Sequence, residues 1–394
     1  MSAPQDILVL NTGSSSVKFA VFDAHMQQRF CGLAEGIGQA GRIRIEAGAG
    51  DGAGAGAETE FADLPDHRRA LSAVLTRLSQ QGAGPDRLRA VAHRVVHGGR
   101  RLLAPARITA EVRACIEDCV PLAPLHNPHA LSAIDALDDL APQLPQYASF
   151  DTAFHATAPE VAQRYALPPE AEALGLRRYG FHGLSYAALC RRLPDISQQP
   201  LPRRLLAFHL GNGASVCAIL DGQSVATTMG YSPLEGLTMG TRVGTLDPNA
   251  TLRLVEDLGL ARTKDLLNRK SGLSGLAGGL SDMRALDAAG TAEARFAIAH
   301  FCYWASRHGH SLLAALGGCD AIAFTGGIGE NAPAIRATIL DSFGWLGIAV
   351  DPDANANNAP RLSATSAPTA AWIVPAEEER QIALDARFLI DTGE

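Results

Sequence analysis

The sequence predicts an α/β protein built from two similar halves, and three observations carry that prediction. The chain opens on an apolar run at 7–10, a tip of Asn11, Thr12, Gly13 and three serines, and a second β-type run at 17–22. This reads as a strand, a tight turn and a strand. The same order recurs at 205–210, Gly211-Asn-Gly213 and 216–220. With Asn11 laid on His209 at a constant offset, Leu8, Gly13, Ala20 and Asp23 coincide with Leu206, Gly211, Ala218 and Asp221. Third, the buried run at 321–324 passes through Thr325-Gly-Gly-Ile-Gly-Glu-Asn331 into a helix from Ala332. A strand, a glycine turn and a helix N-terminus form an anion or nucleotide cradle. The repeat near half the chain length points to a duplicated domain, each copy giving one hairpin to a shared cleft.

Composition bounds the rest. A chain of 394 residues is long enough for two cores, and 47% hydrophobic with 19% charged residues describes a globular protein, not a disordered one. A net charge of −7 argues against a nucleic-acid or anionic-membrane partner, so an anionic substrate needs local arginines to draw it in. The opening residues lack the layout of a secretory signal, and no apolar run reaches the roughly 18 residues of a membrane span. The protein reads as cytoplasmic. Seven cysteines are odd in number and scattered; Cys115 and Cys119 could share a helix face, but neither a zinc site nor a disulfide framework is supported.

Taken in order, the first turn offers backbone N–H groups, hydroxyls and Lys18, which is what a phosphate chain needs. An ordinary hydrophilic hairpin fits equally well, and the absence of Gly-x-x-x-x-Gly-Lys excludes a P-loop. The glycine-alanine run at 47–57 reads as an exposed loop. Ala70, Leu71, Val74, Leu75 and Leu78 mark an amphipathic helix over 66–78. Residues 90–99 read as a strand running into a glycine turn, its histidines and arginine being core or surface groups when taken singly. A proline-punctuated loop at 122–128 precedes a helix through Ile134 and Leu137, and the strand at 147–150 ends in Asp151. A carboxylate at a strand end suits chemistry and equally suits helix capping. Further on, Tyr179-Gly-Phe-His-Gly183 is a turn, Gly240-Thr-Arg242 places an arginine in a glycine-flanked loop, and Ser281 or Asp282 caps a helix. Residues 292–316 form one long buried helix with Phe301, Trp304 and Leu312 as core. A strand at 372–374 leads to a closing helix that opens on Glu377-Glu-Glu379, where acids complement the helix dipole.

Each signal is modest, but their order is specific. Asn11-x-Gly-Ser-Ser-Ser-x-Lys18, His93-Arg-Val-Val-His-Gly-Gly99, Leu125-His-Asn-Pro128, Phe150-Asp-Thr-Ala-Phe-His155, Tyr179-Gly-Phe-His-Gly183, His209-Leu-Gly-Asn-Gly-Ala-Ser215, Met239-Gly-Thr-Arg242, the glycine turn before Asn331 and a terminal Glu-Glu follow one another. Over essentially its whole length the chain resembles the acetate kinases. The resemblance implies a duplicated actin-like (ribonuclease-H-like) fold: an N-terminal domain over 1–150, a C-terminal nucleotide-binding domain over 151–376, and a helix over 377–394 that packs back on the first. It implies ATP/ADP as co-substrate, Mg²⁺ (with Mn²⁺ as a substitute), acetate as acceptor and a homodimer. It also implies the site. Asn11 and Glu378 would hold the metal and Lys18 would approach the phosphates. Arg94 would bind the carboxylate, with Val96, Leu125, Phe181 and Pro233 around the methyl group. Asp151 would be the active-site acid, and His182 and Arg242 would stabilise the transition state. His209, Leu210, Gly211, Asn212 and Gly213, then Asp282, Met283 and Arg284, then Gly327, Ile328, Gly329, Glu330 and Asn331 would line the nucleotide site.

Two departures stand out. Where the family usually reads Thr-Arg-Ser-Gly-Asp this chain has Thr241-Arg-Val-Gly-Thr245, losing a hydroxyl and a carboxylate beside Arg242. Where it usually reads Pro-Thr-Asn-Glu-Glu the chain has Pro375-Ala-Glu-Glu-Glu379, and the following Ile382-Ala-Leu-Asp385 favours Glu378 as the metal glutamate. A propionate kinase is the alternative within enzymes, since one methylene is worth only about 1–3 kcal/mol. An actin-like nucleotide-switched scaffold would lack Asp151 or the arginines, and a sugar kinase would want a polar pocket.

Overall fold

The computed structural model describes residues 5–48 and 58–393, so most of the glycine-alanine run lies outside the described residues. The chain divides into two compact units, Met1–Phe154 with Glu377–Glu394, and His155–Ala376.

In the first unit, strands β1 (Asp6–Thr12), β2 (Ser16–Phe22), β3 (Gln28–Glu35), β4 (Ala40–Ala47), β5 (Glu58–Asp63), β6 (Leu88–Val95), β7 (Ala106–Arg107) and β8 (Gln146–Phe150) form, among the described residues, an eight-stranded sheet. Its order is β5-β4-β3-β2-β1-β6-β8-β7. Antiparallel pairing runs from β1 out to β5, while β6 and β8 add in parallel. Side chains alternate across a strand. Leu8 and Leu10 of β1 join Val17, Phe19 and Val21 of β2 in a core with the helices His67–Gln80 and Asn127–Leu140. Ile7 and Val9 thereby belong to the other face, and the closing helix Glu378–Thr392 packs on β1, β6 and β8. Asp66 caps the first of these helices by accepting from the Arg69 N–H, and its buried residues are Ala70, Leu71, Val74, Leu75 and Leu78.

The second unit repeats the plan. Strands β9 (Arg204–Leu210), β10 (Ala214–Leu220), β11 (Gln223–Thr227), β12 (Ala321–Thr325) and β13 (Ala370–Ile373) lie in the order β11-β10-β9-β12-β13. That matches β3-β2-β1-β6-β8, with antiparallel and parallel pairings in the same places. The constant offset, however, does not survive the turn. Asn11 pairs with Lys18 across the first hairpin, but His209 pairs with Ser215 across the second, which is one residue shorter. A one-residue slip reverses the face of every side chain, so Ala20 and Asp23 are not the register equivalents of Ala218 and Asp221. Asp221 and Gly222 have φ of 51° and 78° and make the two-residue turn into β11, whereas Asp23 accepts from the N–H groups of His25 and Gln27.

The long helix Ala292–Leu316 lies on β9, β10 and β11. A Cβ on Gly309 would come within 2.7 Å of the Phe208 ring, so glycine is what lets helix and sheet approach. Phe301 and Leu312 are buried as expected; Trp304 is not core but half-exposed, its indole N–H bonded to His300. All seven cysteines are free. Among the described residues no helix is long and apolar enough to cross a membrane.

Candidate active site

In the first unit the charged groups gather at strand ends. Arg94 sits near the end of β6 and Asp151 directly follows β8, two adjacent parallel strands, and carboxyl ends of parallel strands are where α/β sheets present ligands their chemistry. Arg94 Nε donates to Asp151 Oδ1 at 3.0 Å and Nη2 to Oδ2 at 2.7 Å, a bidentate fork. Its remaining nitrogen, Nη1, lies 3.5 Å from Glu378 Oε2, on the first residue of the closing helix. Burial pushes the Asp151 carboxyl up, against the lowering by Arg94. Burial alone would lower Arg94, but the Asp151 and Glu378 carboxylates more than offset this and keep it charged. The three glutamates at the helix start divide their work. Glu378 faces Arg94, Glu379 pairs with Lys18 at 2.5 Å, and Glu377 lies 3.7 Å from Arg380. Asn11 and Lys18 are a cross-strand pair, so their side chains share one face.

The neighbouring histidines are structural. His93 bonds Gln146 Oε1 at 2.7 Å, and His97 Nδ1 accepts from the Gly99 N–H at 2.9 Å. His155 lies between Ser224 Oγ and the Phe181 carbonyl. Burial lowers each of the three to about 4. Of the apolar quartet, Val96 is half-buried and Leu125 is 46% exposed in the first unit. Phe181 is buried and Pro233 half-buried in the second.

In the second unit His182 has φ of 60° and stands at the start of the helix Gly183–Ser197. Its Nδ1 lies 2.9 Å from Ser215 Oγ, which lies 2.6 Å from the Tyr186 hydroxyl. Its ring packs on His209 with centroids 4.2 Å apart, and His209 Nδ1 meets Ser185 Oγ at 2.8 Å. Gly213 supplies the space for all this: a Cβ there would meet His182 Nε2 at 3.1 Å and Arg242 Nη1 at 3.6 Å. His182 and Arg242 are thus neighbours across the second glycine turn, and Arg242 Nη1 also donates to the Pro233 carbonyl at 3.3 Å.

A cavity of about 660 Å³ opens beside that turn, within the range of small-ligand sites. Gly211, Asn212, Asp282, Met283, Arg284, Gly327, Ile328 and Asn331 line it. His209, Leu210, Gly213, Gly329 and Glu330 do not. The residues read above as a glycine turn instead form a short helix, Gly326–Asn331, and Glu330 on it accepts from the N–H groups of Gly326 (2.9 Å) and Ala376 (3.0 Å), tying its start to the segment after β13. Asp282 is the cap of its helix, accepting from the N–H groups of Arg284 and Ala285. Sequence reasoning missed Asp287, Ile298 and Pro333 to Ile335 in the lining, because single helix positions carry no motif. It also missed Arg336, wholly buried, which donates to the Gly329 carbonyl at 3.0 Å and so supports that short helix. The departure at Thr245 has a defined outcome: its hydroxyl bonds the Gly236 carbonyl and His308 Nε2, each at 3.0 Å.

Guanidinium groups, histidines and glycine turns collected at strand ends, on one strand order used twice, belong to an α/β phosphotransferase. The Acetokinase family model matches residues 6–384. A relative named acetate kinase from Rhodopseudomonas palustris is 46% identical over 98% of this chain and 99% of its own. Among solved structures, acetate kinase from Porphyromonas gingivalis has a TM-score of 0.89 at 35% identity, covering 98% of this chain and 100% of that one. A propionate kinase from Francisella tularensis has 0.90 at 34%, covering 97% and 98%. The chain belongs to the acetokinase family.

Proposed function

We infer that this chain is an acetate kinase, reversibly transferring the γ-phosphoryl group of ATP to acetate to give acetyl phosphate and ADP. The Arg94–Asp151–Glu378 cluster, in a chain alike to named acetate kinases along its whole length, carries the reading. The two units act as two actin-like domains. The first takes the acceptor and the metal; the second takes the nucleotide in the glycine-lined cavity.

The chemistry follows from charge. Acceptor and phosphoryl group are both anionic, so catalysis is positioning plus neutralisation. Arg94 grips the acetate carboxylate through the in-plane N–H groups of Nη1 and Nη2 that Asp151 leaves, and Asp151 keeps the guanidinium in register. His182 and Arg242 meet the transferring group. The Tyr186 hydroxyl, which burial keeps protonated, meets the Ser215 hydroxyl at 2.6 Å. A Ser215 hydroxyl that donates to His182 Nδ1 leaves the ring proton on Nε2, the atom beside Gly213 and Arg242. Lys18 approaches the phosphates.

Asn11 and Glu378 would hold Mg²⁺. The fit rests on donor type and charge: hard oxygen ligands suit Mg²⁺, and around Arg94 and Lys18 stand three carboxylates, Asp151, Glu378 and Glu379, an excess of negative charge. When bound, the ion offsets phosphate charge.

Trapping acyl phosphates with hydroxylamine, using acetate, propionate, butyrate and glycerol, tests the assignment; turnover of glycerol without any hydroxamate overturns it. The likeness to a propionate kinase supports a second reading, in which the longer acid is preferred. Val96→Ala should raise kcat/KM for propionate relative to acetate severalfold, and an unchanged ratio removes Val96 from the pocket wall. We place the enzyme in the cytoplasm as a homodimer, which cell fractionation and light scattering test.

A further inference from the structure

The loop that carries Arg242 is fastened at both ends to one face of the long helix. His300, Trp304 and His308 recur every fourth residue on Ala292–Leu316 and so share that face. Thr238 Oγ1 lies 2.9 Å from His300 Nδ1, on one side of Arg242 in sequence, and Thr245 Oγ1 lies 3.0 Å from His308 Nε2, on the other. Trp304 stands between them, donating its indole N–H to His300 Nε2 at 3.1 Å, with ring centroids 6.1 Å from His300 and 5.5 Å from His308.

Hydrogen-bond bookkeeping fixes the direction of each contact. An indole nitrogen only donates, and a neutral imidazole carries one N–H. His300 Nε2 therefore accepts, its proton is on Nδ1, and that proton goes to Thr238. The Thr245 hydroxyl donates to the Gly236 carbonyl at 3.0 Å, so it accepts from His308 Nε2–H. Both histidines donate to the loop. Burial holds His300 low; His308 is held low by burial and then by Arg307, against Glu235 and the Gly236 carbonyl. Behind the loop, a cavity of about 420 Å³ is lined by Thr238, Val243, Thr245, His300 and Trp304. Backbone bonds from Gly240 N–H to the Asn212 carbonyl (3.0 Å) and from Val243 N–H to the Leu267 carbonyl (3.1 Å) hold the middle of the loop, and the two histidine contacts hold its ends.

We propose that His300, Trp304 and His308 are positioning residues for phosphoryl transfer, holding the Thr238–Thr245 loop so that the Arg242 guanidinium is aimed at the transferring group. This rests on the kinase reading for its effect on rate, but not for its effect on Arg242 itself.

The test is a double-mutant cycle with an independent spectroscopic arm. His308→Ala and His300→Ala should each lower kcat on the order of tenfold, the cost of a sub-ångström misplacement of a catalytic group, with acetate and ATP KM changing less than twofold. His308→Gln and His300→Asn, which keep a donor at the Nε2 and Nδ1 positions, should recover most of the loss. In an Arg242→Ala background the histidine variants should change nothing further. In two-dimensional NMR of the uniformly ¹⁵N-labelled chain, the Arg242 Nε–H signal, assigned by its loss in Arg242→Lys, should shift or broaden in both alanine variants. Losses that add in the Arg242→Ala background, or an Arg242 signal unmoved in variants that melt like wild type, overturn the proposal. If an alanine variant does not fold, the same cycle and spectrum on His308→Asn, whose amide falls short of Thr245, decide it. A wild type inactive on every acid but with an Arg242 signal that responds to His308 would overturn the kinase reading alone.

Discussion

Arg94 and Asp151 face each other through two parallel hydrogen bonds, Nε to Oδ1 at 3.0 Å and Nη2 to Oδ2 at 2.7 Å. Both carboxylate oxygens are engaged by one guanidinium, which is the geometry of a holder, not of a base waiting for a proton. Acetate, like a side-chain carboxyl with a pKa of about 4, carries no proton to remove near neutral pH. Asp151→Asn, which keeps shape and removes charge, should lower kcat by about 10²–10³ and weaken the Mg²⁺ dependence. The pH profile carries the sign. Burial raises the Asp151 carboxyl above its ordinary value, so the ionised form is lost earlier on acidification than for an exposed aspartate. Activity should fall on the acid side, and added Mg²⁺, favouring the ionised form, should move that limb to lower pH. An acid limb that ignores Mg²⁺ and vanishes in Asp151→Asn would identify a base instead.

The two site arginines should divide their effects. Arg94, bound to Asp151 and facing Glu378, is committed to the acceptor side in ground and transition states alike. Arg94→Ala should raise the acetate KM and lower kcat, and should also cost about 3–5 kcal/mol of stability by stranding a buried carboxylate. Arg242 stands beside His182 at the Gly213 turn, and its loss should fall chiefly on kcat. Steady-state kinetics with thermal melts on both variants decide this; equal KM effects with little change in kcat would dissolve the distinction.

The chain Tyr186–Ser215–His182 makes its own prediction. If Ser215 fixes the proton of His182 on Nε2, Ser215→Ala frees the ring to take the other tautomer. Its kcat should drop about tenfold or more, while ATP and acetate KM hold. Ser215→Thr, which restores the hydroxyl, should recover much of it, and Tyr186→Phe should give a smaller loss of the same kind. A Ser215→Ala enzyme with wild-type kcat would leave the relay without a role.

Much of this was legible in the residues. The spacing around Leu71 and Leu78 identified a helix face that is indeed buried, and the capping choice at 281–282 resolves to Asp282. The strand–glycine–strand repeat found both hairpins, but identities alone could not reveal that the second turn is a residue shorter, because register is set by cross-strand pairing. Trp304 was misread as core because an aromatic on an apolar helix looks the same whether it faces a sheet or a loop. Thr238 and Thr245, the partners of the flanking His300 and His308, lie far away in sequence. The outer strands β4 and β5 passed unnoticed although Arg42, Ile43, Arg44 and Ile45 alternate exposed and buried, a period-2 signal.

Arg336 tests how far the short helix Gly326–Asn331 depends on its support. The side chain is completely buried, and its guanidinium is spread over neutral acceptors: Gly329 O at 3.0 Å, Asn355 Oδ1 at 2.9 Å, Asn355 O at 2.8 Å and Asn358 Oδ1 at 2.7 Å. Burial lowers it to about 10 from an ordinary 12.5. A base whose folded pKa is depressed gains stability only as pH rises through that value, so between pH 6 and 9 it should add no pH dependence. Arg336→Met keeps volume but orphans those acceptors, at about 1–3 kcal/mol for each one left without a partner. The melting temperature should fall by several degrees. Because Gly329 belongs to the short helix whose Gly327, Ile328 and Asn331 line the cavity, the ATP KM should rise while the acetate KM stays put. Arg336→Lys should rescue little, since one ammonium cannot reach acceptors arranged for a planar fork. The decisive measurement is the ATP KM at a temperature where the variant is fully folded. A wild-type value there would mean that this helix keeps its shape unaided and that Arg336 serves stability only.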